Sequence, residues 1–348
     1  MQVRLATLKD KKSWDNYVDN CPDAAPYCCF SWKEAVEQAY GHKSCYLLAE
    51  EDGVIKGILP LFDFRIPFCG SSFVSLPFCD VGDVFADNDD IKKALMAEAI
   101  SLIKQSKGKE LDVRSYQGDL FEADTDNLHV SVETKKVRML LNLPGSSDEL
   151  WSGFKSKLRS QVRKAEKNGL TFRWGGLEKI DDFYQVFSRN MHALGSPVHS
   201  KKWIEKILVN YGENARMGLV YKDDLPVGCG IILFTKNIVS IPWASTLREF
   251  NGLAPNMLIY WNLLKYATDN EKKVFDFGRS TLDEGTYLFK KQWGAEPRQL
   301  YWYRLGKSQT ENETSSRISR KMLELIWQKL PLAMANFIGS RVRRYISL

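Results

Sequence analysis

The segment Asp276-Phe277-Gly278-Arg279-Ser280, followed by Gly285-Thr286-Tyr287-Leu288-Phe289-Lys290-Lys291-Gln292-Trp293-Gly294, holds the richest chemistry of the chain. A short apolar strand stops at a glycine, and open α/β sheets bind ligands where strands end. Lys290 follows aromatic residues. Its ammonium can stand beside a reacting carbonyl oxygen and stabilise developing negative charge, or a lowered pKa can let it move a proton. Asp276 is the second catalytic candidate, or a structural partner of Arg279. Candidates for holding substrate are Arg279, Ser280, Tyr287 and Phe289, with Trp243 on an earlier strand. The plain alternative is a pair of surface lysines at a helix start.

Two further groups suit anions. Lys155, Arg159, Arg163 and Lys167 recur every fourth residue, beside an apolar stripe of Trp151, Phe154, Leu158, Val162 and Ala165. The stripe must be buried, so the ridge is held in place. Six bases with only Glu166 among them suit phosphates or another polyanion, with Arg159, Arg163 and Lys164 as binding candidates; a solvated face is the ordinary reading. Arg248-Glu249-Phe250-Asn251-Gly252 precedes a helix, whose first N–H groups can bind phosphate, so Arg248, Asn251 and Gly252 are candidates for donor phosphates. With one glycine the loop reads equally well as an ordinary helix cap. Seven cysteines and four histidines show no C-x-x-C pair and no His at ligand spacing from a Cys, so no metal site is expected. The thiols are expected reduced, as small buried hydrophobes.

The elements that position these groups appear twice. Val54 to Phe62 resembles Leu225 to Phe234, and Val74-Ser75-Leu76-Pro77-Phe78 resembles Val239-Ser240-Ile241-Pro242-Trp243. Leu111 to Ser115 resembles Phe275 to Ser280 with one residue added, and Val3-Arg4 resembles Phe172-Arg173, all at offsets close to half the chain. Each copy reads as a strand, two amphipathic helices, a hairpin, a proline-containing strand, a helix, a strand, and a closing strand at Val137 to Leu143 or Gln299 to Arg304. Proline cannot donate to a ladder, so Pro77 and Pro242 mark either an edge or a place where strands part. This mixed α/β order, each sheet flanked by helices, suits a GNAT-type acyltransferase fold. One basic helix is expected over 147–168, introduced by a capping box from Ser146 and Glu149.

The chain has 348 residues, 44% of them apolar and 26% charged, which excludes disordered, collagen-like and small disulfide-scaffold classes and suggests two domains. Its net charge of +6 is concentrated in Lys155 to Lys167 (net +5) and Arg317 to Leu348 (net +6). With no secretory signal and no long apolar run, a soluble cytoplasmic protein is expected. The last residues, with Phe337, Ile338, Val342, Tyr345 and Ile346 beside Arg341, Arg343 and Arg344, either dock on the protein or lie peripherally on an anionic membrane.

Leu158-Arg159-Ser160-Gln161-Val162-Arg163-Lys164-Ala165-Glu166-Lys167-Asn168-Gly169, Leu194-Gly195-Ser196-Pro197-Val198-His199 and the run Phe277 to Trp302 resemble FemAB-like proteins, nearest to the group associated with bacterial exosortase/PEP-CTERM and exopolysaccharide systems. The resemblance implies tandem GNAT-like domains: residues 1–145, structural or acceptor-binding; residues 146–305, catalytic; and a basic helical tail over 306–348. It implies an N-acyltransferase or aminoacyltransferase joining an activated acyl group to an amine, in cell-envelope or exopolysaccharide metabolism. No tightly bound cofactor is expected, and acyl-CoA or aminoacyl-tRNA is the co-substrate. The acceptor is expected to be an anionic small molecule or nucleotide-linked, with tRNA as a further partner. Phe289-Lys290 matches the family's Phe-Lys motif, whose lysine handles the transferred carbonyl. A catalytically inert binding protein on polysaccharide machinery or membrane is the competing expectation.

Overall fold

A computed structural model describes residues 1–67, 70–106, 110–121, 128–306 and 322–348. The later half is built on one seven-stranded sheet. Its order is Leu170–Gly175, Ala215–Lys222, Leu225–Phe234, Ile238–Thr246, Val274–Thr281, Lys136–Asn142 and Glu296–Gln299. Every pairing is antiparallel except Ile238–Thr246 with Val274–Thr281. The first half repeats the order and directions. Gln2–Leu5, Leu47–Glu51 and Val54–Leu59 come first, then Phe62–Ile66, Gly70–Val74, Glu110–Ser115, Tyr301–Gly306 and His129–Glu133. Its sheet divides between Leu59 and Phe62, at Pro60, which has no N–H for a ladder. The first-half hairpin turns through Asp52 and Gly53, both left-handed (φ 49° and 76°), as a two-residue turn matched to strand twist requires.

The closing strands differ from expectation. Lys136–Asn142, from the first copy, lies in the second sheet between Val274–Thr281 and Glu296–Gln299. Tyr301–Gly306, from the second, lies in the first sheet between Glu110–Ser115 and His129–Glu133. Each half therefore completes the other. The crossing is tied by Gln299 Nε2, which donates to the carbonyls of Thr134 at 2.7 Å and Lys136 at 3.0 Å.

The two halves also share a core. The helices Phe30–Tyr40 and Lys201–Tyr211 occupy equivalent places in the repeat and pack together. Trp32 meets Trp203 edge-on at 5.2 Å and lies parallel to Trp243 at 6.4 Å, while Tyr40 stacks on Trp203 at 5.2 Å. Such aromatic pairs contribute ~0.5–1.5 kcal/mol each beyond the area they bury.

The expected basic helix is two helices, Ser147–Gly153 and Ser156–Lys167, with Phe154 and Lys155 extended between them. The break turns Phe154 onto Trp293 at 5.4 Å and Trp261 at 5.9 Å. Only half of the capping box forms: Ser146 Oγ accepts from Glu149 N at 3.2 Å, and Glu149 Oε2 accepts from Gly145 N instead. Pro242 sits inside its strand, but Pro77 lies in the turn after Gly70–Val74, where Leu76 and Phe78 have positive φ.

The tail helix Leu332–Val342 packs against Ile180–Ala193. The residues beyond it cross to the first half: His42 Nε2 lies 2.7 Å from the Arg344 carbonyl, and Phe78 N donates to the Ser347 carbonyl at 2.6 Å. Ahead of that helix, Met322, Leu323, Leu325 and Ile326 are exposed. Among the described residues no helix is long and apolar enough to cross a membrane.

Candidate active site

The parallel pair Ile238–Thr246 and Val274–Thr281 stays in register only as far as Ser240 opposite Asp276. Beyond it the strands part, and between Ile241–Trp243 and Phe277–Arg279 opens a cleft of about 280 Å³. Pro242 lies at the parting, beside an irregularity in the register with Leu225–Phe234. In the first half the equivalent opening is filled. Arg114 donates to the carbonyls of Leu76 at 3.1 Å and Cys79 at 2.7 Å, and its own carbonyl accepts from Gly82 N at 2.9 Å.

The residue added in the second copy makes the site. Across Phe277 and Gly278 the register with Lys136–Asn142 slips, and Gly278 is left-handed (φ 73°), so the strand carries a bulge. The bulge presents the carbonyls of Gly278 and Arg279 to Lys290 Nζ, which donates to them at 3.1 and 2.7 Å. Lys290 arises from the helix Gly285–Lys291 and is only 8% exposed. Burial pushes its pKa down to about 8, against the opposing pull of Asp80 and Asp276. An ammonium has three donors, so two carbonyls leave one for a ligand.

Gly278→Ala would force a Cβ into the left-handed region and to 3.4 Å from Asp80 Oδ2. It is expected to cost ~1–2 kcal/mol of folding free energy in urea denaturation and to lower turnover through Lys290. Unchanged stability and turnover would show that the bulge does not position the lysine.

Asp276 is fully engaged. Its Oδ2 accepts from Arg138 and from Ser240 Oγ at 2.7 Å, its Oδ1 from Gly278 N at 2.8 Å, and both it and Arg138 are 1% exposed. Its partner is thus Arg138 rather than Arg279, and it borders a separate small hollow with Tyr116 and Arg298. Arg279 is held by Asp80, through its backbone N–H at 3.1 Å and its Nε at 3.3 Å.

Of the residues singled out in the sequence, Lys290, Arg279 and Trp243 line the cleft. Ser280 is buried with its Oγ unpartnered, while Tyr287 and Phe289 turn into the core of the second sheet, where Phe289 meets Tyr260 at 4.9 Å. Arg159, Arg163 and Lys164 lie on a helix packed against Pro255–Asp269 and do not line the cleft; Arg163 stacks on Trp151 at 5.4 Å. Arg248 borders a different hollow of about 180 Å³ with Arg189 and His192, and Asn251 and Gly252 are exposed in the loop before that helix.

The cleft also takes residues that sequence reasoning missed: Tyr27, Phe78 and Asp80 from the first half, His199, and Arg343 from the tail. His199 stands in one of the segments that resemble FemAB-like proteins, Phe78 in the repeat opposite Trp243 and Arg343 in the basic tail, but nothing in the sequence brings them to the cleft. His199 Nδ1 stands 2.7 Å from the Tyr40 hydroxyl, whose oxygen accepts from Ser200 N at 3.4 Å. That arrangement directs the Tyr40 proton to Nδ1 and puts the ring proton on Nε2. Burial, with Arg343 nearby, holds the imidazole pKa well below its usual value, so the ring is neutral. Cys28, Cys79 and Cys229 are buried free thiols whose pKa values burial raises; Cys69 is outside the described residues.

Residues 152–291 match the family model described as an acetyltransferase (GNAT) domain. The match falls in the later half and spans less than half of the chain. Similar solved structures extend the likeness over most of the chain. FemX aligns with a TM-score of 0.68 at 16% identity, over 87% of this chain and 97% of its own. A tandem GNAT protein from the clavulanic acid biosynthesis pathway aligns at 0.53 and 14% identity, over 88% and 99%. L-PGS from Bacillus licheniformis aligns at 0.50 and 12% identity, over 84% and 96%. The fold is therefore that of tandem GNAT proteins. No curated protein matches the sequence. Lys290 is the last residue but one of the matched GNAT domain, and Arg343 lies well beyond it.

Proposed function

We propose that the protein is an N-acyltransferase that forms an amide in the cleft of its later half. The observation that carries this reading is the buried Lys290 ammonium, pinned by two carbonyls at the mouth of parted strands inside the matched GNAT domain. An acceptor amine attacks the carbonyl carbon of an activated acyl ester. The new C–N bond forms while the carbonyl electrons move to oxygen, where Lys290 stabilises the negative charge. Collapse of that intermediate expels the thiol or alcohol of the donor, which leaves with the proton given up by the amine. Asp276 acts at one remove, fixing the bulge through Gly278 N. Residues 1–145 serve a structural role, consistent with their filled opening, and lend Asp80 and Phe78 to the cleft wall.

Two donor classes fit. The tandem GNAT protein of the clavulanic acid pathway, described in a state without AcCoA, favours acyl-CoA, and the FemAB-like resemblance favours aminoacyl-tRNA. The cell-envelope setting and an anionic or nucleotide-linked acceptor rest on that resemblance. Purified protein should form amide from an amine acceptor with acetyl-CoA after ribonuclease treatment if the donor is a thioester. Amide formation that needs charged tRNA identifies the other donor, and absence of both reactions removes the proposal.

A further inference from the structure

The charges around the cleft do not balance. Lys290, Arg279 and Arg343 line it, three cations against the Asp80 carboxylate, which is already paired with Arg279, and the end of the chain at Leu348, which forms no ion pair with any of them. Neither Lys290 nor Arg343 has an ion-pair partner among the described residues. Arg343 uses Nη1 on the Ile346 carbonyl and sits 5.8 Å over the Phe78 ring. Arg343 is half-buried, and partly desolvating a guanidinium without a counter-ion is costly, so a fold retains such a group where something else supplies the anion. The neutral His199 beside it supplies none. Burial, with Arg279 and Arg114 close by, lowers the Arg343 pKa to about 10, the direction expected for a cation that lacks an anion.

Arg343 is also held in place. On one side its chain is fixed by the helix Leu332–Val342 against Ile180–Ala193. On the other, Arg344 donates to the Tyr40 carbonyl, and Ser347 accepts from Phe78 N at 2.6 Å and from Arg114 Nη2 at 3.1 Å. The tail is thereby a strap across both halves that delivers one cation to the cleft. At ~30 Å³ per water-sized group the cleft admits the reacting end of a substrate and not the whole of a large one.

We propose that Arg343 is an anion-binding residue of this cleft and that the ligand it takes carries a carboxylate or a phosphate ester, seated between Arg343 and Arg279 within reach of Lys290. The inference rests on the acyltransfer reading for its link to catalysis, and on the charge census alone for the binding site. It extends the functional residues beyond the matched domain, into a tail that otherwise reads as a docking segment.

The test compares the full chain with Arg343→Gln and Arg343→Lys. Each is titrated with sodium pyrophosphate and with N-acetylglycine, and with the uncharged N-acetylglycinamide, by calorimetry and thermal melting. At least one anion should bind the wild type, and Arg343→Gln should weaken it by about tenfold or more, as loss of a charged hydrogen bond does. Arg343→Lys should retain part of the affinity, and N-acetylglycinamide should not distinguish the three. Which anion responds identifies phosphate or carboxylate as the source. Without ligand, Arg343→Gln should melt no lower than wild type, because it removes an unpaired charge; a purely structural arginine would give a lower melting temperature. Equal anion affinity in wild type and Arg343→Gln, or no anion binding to the wild type, overturns the proposal. If anion binding depends on Arg343 while Lys290→Ala keeps full turnover, the acyltransfer reading fails and the anion site stands.

Discussion

Replacing Lys290 by alanine is expected to lower turnover by ~10²–10³-fold, the usual cost of removing one oxyanion donor, with a much smaller change in KM. The asymmetry follows from when the interaction is made. A neutral ester carbonyl gains little from an ammonium, whereas a tetrahedral oxyanion gains much, so the loss falls on the chemical step. The pH profile carries a sign. Lys290 is protonated below about 8, so its contribution is present there and fades as pH rises through that value. Turnover at saturating donor should fall over this range. In Lys290→Arg the fall should be absent, because guanidinium keeps its charge. A rate that instead rises through pH 8 would make Lys290 a proton acceptor, and an alanine variant with wild-type turnover would remove it from the mechanism.

Much of the scaffold was legible because it was written twice. The hairpin read in each copy is present as Leu47–Glu51 with Val54–Leu59 and as Ala215–Lys222 with Leu225–Phe234, and the later helix of each as Asp89–Gln105 and Pro255–Asp269. The site was legible in one feature above others: the residue added at Gly278 relative to the first copy, which is the bulge that holds Lys290. The exchange of closing strands was not legible. Lys136–Asn142 and Tyr301–Gly306 are both short strands rich in apolar residues, and such composition states that a strand is buried without naming its neighbour. The break at Phe154 and Lys155 was hidden because the apolar spacing continues across it. Arg343 was legible only as part of a basic tail and Asp80 not at all, since each meets the cleft through contacts between segments distant in sequence.

The strand exchange makes a second large effect calculable. Arg138 travels with the donated strand into the second sheet and meets Asp276 there, both 1% exposed. Its Nη1 donates to Tyr116 Oη at 2.6 Å. In the first sheet Asp112, the counterpart of Asp276 in the repeat, pairs with Arg304 directly opposite it on the other donated strand, 3.2 Å away and partly in solvent, where Glu110 also lies 4.0 Å from Arg304. A carboxylate of each sheet thus meets an arginine of the donated strand, at a different register and in a different dielectric. Asp276→Leu leaves Arg138 buried without its anion and should cost ~3–5 kcal/mol in urea denaturation, whereas Asp112→Ala should cost only ~0–1 kcal/mol because water screens the exposed pair. Adding Arg138→Met to Asp276→Leu should restore most of the loss, since an apolar pair of similar size needs no desolvation of charge. That recovery separates an unpaired charge from a damaged backbone. Turnover should stay low even in the stable double variant, because Gly278 N has lost the carboxylate that fixes the bulge under Lys290. If Asp276→Leu falls within 1 kcal/mol of wild type, the buried pair does not secure the donated strand, and the exchange must be held by its backbone ladders alone.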